Sequence, residues 1–171
     1  PVTLGALVLP LMNFVDAAIV PQRLQVAGLG NEQALELFGQ LSGMAMVLVN
    51  FPTIITISLA ASLVPSISEA FALEKPNLIK SRTESALRLT ILIGLPASLG
   101  LFLLAKPLTI VIFNNSQAAI PLRYVGWGVF FITLQQTSAA ILQGIGKTSI
   151  PARNLFIGAI VNGFINFTLT A

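Results

Sequence analysis

A single carboxylate, Asp16, lies within the apolar stretch LMNFVDAAIV at Leu11–Val20. A charge at the centre of a membrane-spanning helix costs about 2.5–3.5 kcal/mol on insertion scales, so it is normally paired, protonated or used to bind a cation. Asn162 and Asn166 are four residues apart and therefore lie on one face of a helix. One carboxylate with two amide carbonyls is an all-oxygen set that suits a hard cation such as Na⁺. In the alternative interpretation, Asp16 reaches water near the membrane surface and the asparagines only hydrogen-bond between helices.

A second group of polar residues lies together in an otherwise apolar segment. Such a stripe could line a hydrated cavity and contact sugar hydroxyls, or it could supply hydrogen bonds that hold helices together. Both interpretations stay open for each of its members, which are Gln135, Gln136, Thr137, Ser138 and Gln143.

Two arginines, Arg82 and Arg88, lie where a charged segment meets an apolar one. A guanidinium suits bidentate binding of a phosphate or pyrophosphate, which would make Arg88 a substrate contact. The competing interpretation is that both side chains extend to anionic lipid headgroups.

The composition is that of a membrane protein. Of the 171 residues, 55% are hydrophobic and 9% are charged, against about 25% charged in a typical soluble domain. The chain has no cysteine and no histidine, which excludes disulfides, thiolate or imidazole metal sites, and Cys or Ser-His nucleophilic catalysis. Zinc enzymes and most hydrolases are excluded with them, and we expect neither an enzyme nor a bound cofactor. The basic residues are scattered between apolar runs, so we expect no nucleic-acid partner either.

We predict an all-α, polytopic membrane protein with five transmembrane helices. Each apolar run has roughly the length that a hydrocarbon core of about 30 Å requires. Pro10 and Pro96 should bend their runs, Pro52 and Pro65 should interrupt theirs, and Lys106–Pro107 should break the third. Residues 21–40 are predicted to be a loop, which could contain a short interfacial helix, with Gly28 and Gly30 as its turn signal. The five spans are residues 2–20, 41–66, 88–113, 124–146 and 155–171, approximately.

The distribution of Lys and Arg predicts the orientation. Cytoplasmic loops carry an excess of basic residues. The second and fourth connections hold Lys75, Lys80, Arg82, Arg88, Lys147 and Arg153, whereas the first and third hold Arg23, Lys106 and Arg123. We therefore place residue 1 on the cytoplasmic side. The chain begins without an initiator Met and stops inside an apolar run, so we expect it to be a piece of a longer protein.

Four stretches resemble the multidrug/oligosaccharidyl-lipid/polysaccharide flippase superfamily. The similarity points to its polysaccharide and lipid II flippase branch, and there to the stage V sporulation protein B group. It covers essentially the whole chain. The stretches are LMNFVDAAIVPQRL, NFPTIITISLAASLVPSISEAFA, RLTILIGLPASLGLFLLAKPLTIVIF and ILQGIGKTSIPARN, at Leu11–Leu24, Asn50–Ala72, Arg88–Phe113 and Ile141–Asn154.

The resemblance implies two six-helix lobes around a cavity that opens alternately to either side. Residues 1–171 would form helices seven to eleven, most of the C-terminal lobe, and the N-terminal lobe would be missing. Relatives that flip lipid II hold sodium with an Asp on helix seven and with an Asn and an acidic residue on helix eleven. Asp16 and Asn162 match this pattern, but Asn166 replaces the acidic residue, which implies weaker coupling. The Arg that these relatives carry on helix eight is absent from the apolar segment Met44–Val49.

The resemblance also implies a function. We expect a flippase in the cell membrane that translocates an undecaprenyl-pyrophosphate-linked saccharide or peptidoglycan precursor, as in cell-wall synthesis or sporulation. Na⁺ or H⁺ would be the coupling ion, at Asp16, Asn162 and Asn166. The alternatives are a cation-coupled multidrug exporter of the same superfamily and a membrane scaffold protein that transports nothing.

Overall fold

The structure, a computed structural model, describes the backbone of residues 2–26, 28 and 30–169 and the side chains of residues 10–26, 28 and 30–165. The described part of the chain is helical and contains no strand, which confirms the predicted all-α class. In chain order the helices are α1 (Val2–Val26), α2 (Asn31–Gly39), a π-helical segment (Gln40–Ala45), α3 (Met46–Ala72), α4 (Pro76–Leu103), α5 (Ala105–Phe113), α6 (Ala119–Gly144) and α7 (Ser149–Leu169).

Within the described residues, three helices are long and apolar enough to cross a membrane. They are residues 31–72, taken through the π-helical segment, residues 76–103 and residues 119–144. Each overlaps one of the predicted spans. The described part of α7 that is apolar, Ser149–Ile165, is shorter. The first and fifth predicted spans include residues whose side chains lie outside the described ranges, so the number of five crossings stays a prediction.

The chain divides into two compact units. One consists of the described residues among 1–39 and 148–171, in which α1 packs against α2 and α7. The other consists of residues 40–147, in which α6 packs against both α3 and α4. The first unit holds Asp16 and Asn162, and the second holds the polar stripe of α6.

Buried hydroxyl groups form much of the core of the second unit. The side chains of Thr56, Thr90, Thr133 and Thr137 are fully buried. Thr90 and Thr137 hydrogen-bond across α4 and α6, with their Oγ1 atoms 2.6 Å apart. Where lipid replaces water, apolar side chains gain little by leaving the solvent, so helices associate through close packing and hydrogen bonds of this kind.

Two glycines permit the close approach of helices in this unit. A Cβ atom at Gly94 of α4 would overlap the hydroxyl group of Thr133 on α6, and one at Gly144 would lie 2.7 Å from Cβ of Ile67. Glycine thus allows close packing at these positions. At Gly43, Gly100, Gly128, Gly158 and Gly163 a Cβ atom would meet no atom of the described residues within 4 Å, so packing among those residues gives no reason for a glycine there.

Much of the predicted loop at residues 21–40 is helical. The short helix α2 agrees with the prediction, whereas the end of the first span at Val20 was predicted wrongly. Helix α1 continues through Pro21 to Val26, and α2 begins at Asn31. Gly28 between them has a φ of +95°, as the turn signal indicated. A proline removes one hydrogen bond from a helix, and neighbouring helices can compensate for that loss within a membrane protein.

The predicted interruptions at Pro52 and Pro65 are wrong, because α3 runs unbroken through both. Helix α4 also continues through Pro96, and the bend predicted there stays a prediction. The break before α5 lies at Leu104 rather than at Lys106–Pro107. Pro107 falls in the first turn of α5, where a helix makes no use of the backbone N–H that proline lacks. The third predicted span therefore consists of two helices.

Candidate functional site

Asp16 and Asn162 meet in the first unit. The Asn162 Nδ2 atom donates a hydrogen bond to Asp16 Oδ1 over 3.0 Å, and both side chains are half-buried. Asp16 comes from α1 and Asn162 from α7, which pack against each other. Two of the three residues predicted to form a cation site therefore lie in direct contact.

The helical faces on either side of this contact are apolar. Leu11, Met12 and Val15 of α1 face Phe156 and Ala159 of α7 around a cavity of about 160 Å³, which Asn162 also lines. On α1, Met12 lies four residues before Asp16 and Val15 lies one residue before it. The Asp16–Asn162 hydrogen bond is thus next to an apolar space, where a polar group left without a partner is costly.

The present orientation of the amide determines what this pair can bind. Asn162 donates through its nitrogen, whereas a carboxamide binds a cation through its oxygen. Rotation of the amide would bring Asn162 Oδ1 toward the Asp16 carboxylate and give a hard cation two protein ligands. The side chain of Asn166 lies outside the described residues. Among those described, no three acidic, histidine or cysteine side chains cluster around a common metal position.

The residues predicted to line a cavity separate into those that line a groove and those that do not. Gln135, Gln136 and Gln143 line a groove of about 340 Å³ between α3 and α6. Ser138 and Arg88 do not line it. Ser138 is half-buried on α6, and Arg88 is exposed on α4.

Two residues of the predicted stripe make hydrogen bonds between helices. The Thr56 hydroxyl group on α3 lies 2.6 Å from Gln136 Oε1, and Thr137 bonds to Thr90 as described above. Hydrogen bonding between helices is thus confirmed for Gln136 and Thr137, whereas the interpretation as the lining of a hydrated cavity stays a prediction. Gln136 both accepts from Thr56 and lines the groove.

Arg82 binds within the protein. Its Nη1 atom donates to the Ser66 carbonyl oxygen and to Glu69 Oε2, the latter over 3.2 Å. These bonds join the end of α3 to the beginning of α4. The sequence suggested a phosphate ligand or a lipid contact for Arg82 but gave no signal for this pairing, because its partners lie across a helical hairpin.

Aromatic residues cluster where α4 ends and α6 begins. The rings of Phe102 and Trp127 have their centroids 5.2 Å apart, and the Arg123 guanidinium lies 5.9 Å from the centroid of the Phe102 ring. Tyr124, three residues before Trp127, is largely exposed. Phe102 and Trp127 belong to different helices, so the sequence alone does not indicate that their rings meet.

Comparison with known proteins gives one family and several relatives. The family model described as MatE matches residues 40–168. The chain is 33% identical over 156 residues to stage V sporulation protein B of Bacillus subtilis (strain 168), covering 91% of this chain and 30% of that protein. It is 26% identical over 178 residues to the lipid II flippase MurJ of the same organism, covering 99% and 32%.

Another relative, sporulation protein YkvU of the same organism, is 32% identical over 123 residues, which cover 72% of this chain and 27% of that protein. The chain thus spans about a third of the length of the curated relatives it matches. No solved structure matches this chain significantly.

Proposed function

Because the chain belongs to the MatE family, we propose that it is part of a flippase that moves an undecaprenyl-pyrophosphate-linked saccharide or a peptidoglycan precursor across the cell membrane. The observation that carries this proposal is the similarity to a lipid II flippase over 99% of the chain. The chain itself supplies helices seven to eleven of the C-terminal lobe. An N-terminal lobe and helix twelve complete the transporter.

The transporter works by alternating access. The lipid tail stays in the bilayer while the polar head group crosses between the two lobes, along surfaces that carry polar side chains. The carboxamides of Gln135 and Gln143 are exposed on α6 and provide such a surface. Residue 1 lies on the cytoplasmic side, as the distribution of basic residues favours.

The Asp16–Asn162 pair is the coupling site. Na⁺ or H⁺ binds at the Asp16 carboxylate and displaces the hydrogen bond from Asn162 Nδ2. Asn162 and Asn166 add carboxamide oxygens when the ion is Na⁺. Because Asp16 and Asn162 belong to different helices, binding of the ion changes the contact between α1 and α7 and so favours one conformation over the other.

Reconstitution of the full-length protein tests the proposal. Vesicles carrying a fluorescent lipid-linked disaccharide in one leaflet would be loaded with the wild type, with Asp16→Asn, or with the control Asn154→Asp on exposed α7 surface. We expect flipping by the wild type and the control and its loss in Asp16→Asn. Export of a cationic drug without flipping would instead indicate a multidrug exporter. Neither activity, from a folded and inserted protein, would indicate a scaffold.

A further inference from the structure

The groove between α3 and α6 has two chemically different walls. Its α3 wall is apolar and is made of residues spaced three and four apart, which form one face of the helix. Two of these residues are alanines, so the wall leaves room beside it. Its α6 wall carries three carboxamides. The α3 residues are Ile57, Ala60, Ala61 and Val64, and the carboxamides belong to Gln135, Gln136 and Gln143.

The carboxamide of Gln136 is held in place by a hydrogen bond from α3. Its Oε1 atom pairs with the hydroxyl group of Thr56, which is fully buried. A carboxamide has two N–H donors in addition to its oxygen. Thr56 lies against this oxygen, so the Nε2 donors of Gln136 and the second lone pair of its oxygen remain for the groove that this residue lines. Gln135 and Gln143 are exposed, so each offers both a donor and an acceptor.

The groove lacks formal charge. Among the described residues, none that lines it is acidic or basic. A phosphate or pyrophosphate is bound most strongly by arginine, lysine or a cluster of backbone N–H groups. Hydroxyl and acetamido groups, which are neutral and both donate and accept, match carboxamides instead. Sugar rings also have apolar C–H faces, which suit the wall of α3.

We propose that this groove binds the neutral saccharide part of the lipid-linked substrate, and that the pyrophosphate is bound elsewhere. The inference rests on the proposed function, since it assigns a part of that substrate to a defined surface. The Gln136 donors and the Gln135 and Gln143 carboxamides contact sugar hydroxyl or acetamido groups, and Ala60 and Ala61 lie against the ring.

Binding measurements on the full-length protein in detergent micelles test this. Two fluorescent probes are compared: undecaprenyl pyrophosphate bearing a neutral disaccharide, and undecaprenyl pyrophosphate with no sugar. The test variant is Gln135→Leu combined with Gln143→Leu, both exposed positions at which leucine is compatible with a membrane helix. The matched control is Gln33→Leu, an exposed glutamine of α2 that does not line the groove.

We expect the double variant to bind the disaccharide lipid about tenfold more weakly, which corresponds to about 1.4 kcal/mol. Its affinity for the sugar-free lipid should equal that of the wild type, and Gln33→Leu should change neither affinity. Equal weakening toward both lipids would show that the glutamines act on the protein's structure and would overturn the proposal. Unchanged binding of both would overturn it as well.

A second measurement uses the wild type alone, so it does not depend on the folding of any variant. A photoreactive group on the disaccharide should label peptides that contain residues 57–64 or 135–143. Labelling confined to other segments would overturn the proposal. If the labelling and the tenfold effect are found but vesicles show no flipping, the groove assignment stands and the proposed function fails. If vesicles show flipping but this groove is not labelled, the proposed function stands and the groove assignment fails.

Discussion

The hydroxyl groups of Thr90 and Thr137 lie 2.6 Å apart between α4 and α6, and both side chains are fully buried. Each also has an acceptor within its own helix, because Thr90 lies 2.9 Å from the Ala86 carbonyl and Thr137 lies 3.1 Å from the Thr133 carbonyl. One of the two threonines can therefore donate to the other, which donates to its own backbone.

This arrangement predicts coupled effects of valine substitutions. Thr90→Val or Thr137→Val alone should lower the free energy of unfolding by about 0.5–1.5 kcal/mol, because the hydrogen bond between the two buried hydroxyls is lost. The double variant should be destabilised by less than the sum of the single ones, since the same hydrogen bond can be lost only once.

Reversible unfolding in mixed micelles, analysed as a double-mutant cycle, measures the coupling. The control pair is Thr90→Val with Ser62→Ala. Among the described residues, the Ser62 hydroxyl bonds only to the Leu59 carbonyl of its own helix, 2.8 Å away. That pair should be additive. Additivity for Thr90 and Thr137 would contradict the interaction between them.

Gly94 provides a second prediction. In Gly94→Ala the new methyl group would overlap the Thr133 hydroxyl, and the resulting shift of α4 from α6 should cost about 1–3 kcal/mol of stability. Combining it with Thr133→Ala should recover part of this loss, because the overlapping atom is removed. Thermal unfolding in micelles measures both changes.

Gly100→Ala is the matched control for that substitution. Gly100 lies on the same helix, and a Cβ atom there would meet nothing within 4 Å. It should leave stability unchanged or raise it by up to about 1 kcal/mol, because alanine favours a helix more than glycine does. If both alanine substitutions had the same effect, close packing at Gly94 would not be the reason for its glycine.

Arg82 gives a third prediction, about the end of α3. Arg82→Gln removes a donor from the Ser66 carbonyl and the ion pair with Glu69, and should lower the free energy of unfolding by about 1 kcal/mol. Glu69→Gln should change it by less than about 0.5 kcal/mol, because the Glu69 side chain is 64% exposed and exposed ion pairs contribute little.

Unfolding of the two variants at low and high salt separates these contributions. The loss in Arg82→Gln should persist at high salt, since most of it comes from the bond to the backbone carbonyl rather than from the ion pair. An effect of Arg82→Gln that disappears with salt would instead assign it to Glu69.

The sequence was sufficient to predict the helical class, because long apolar runs allow only helices or barrels in a membrane. It also indicated the contact between Asp16 and Asn162, since a carboxylate in such a run requires a partner. The helix ends were less predictable. From the sequence, Pro21 and Pro52 were expected to lie where a helix ends or is interrupted, yet both lie inside helices. Neighbouring helices can compensate for the hydrogen bond that a proline removes, and the sequence does not show where they pack.

The partners of the buried hydroxyls could not be predicted from the sequence. Thr56, Thr90 and Thr137 each have several possible acceptors along the neighbouring helices, and the choice depends on the register at which the helices pack. Close contacts at Gly94 and Gly144 contribute to that register. Nothing in the sequence around these glycines distinguishes them from Gly100, which makes no such contact.

The last prediction concerns the charge of the Asp16 site. Asn162→Asp would place a second carboxylate where the Asn162 amide now donates to Asp16 over 3.0 Å. Without a cation, two carboxylates at this distance repel each other, so the melting temperature of the full-length protein in a Na⁺-free buffer should fall below that of the wild type. Saturating Na⁺ should raise it again, and by more than in the wild type, because ligands that bind the folded state stabilise it. Asn154→Asp, an exposed position on the same helix, serves as the control and should respond to Na⁺ as the wild type does. The same Na⁺ response in all three proteins would remove Asp16 and Asn162 from cation binding and leave their hydrogen bond as a contact between α1 and α7.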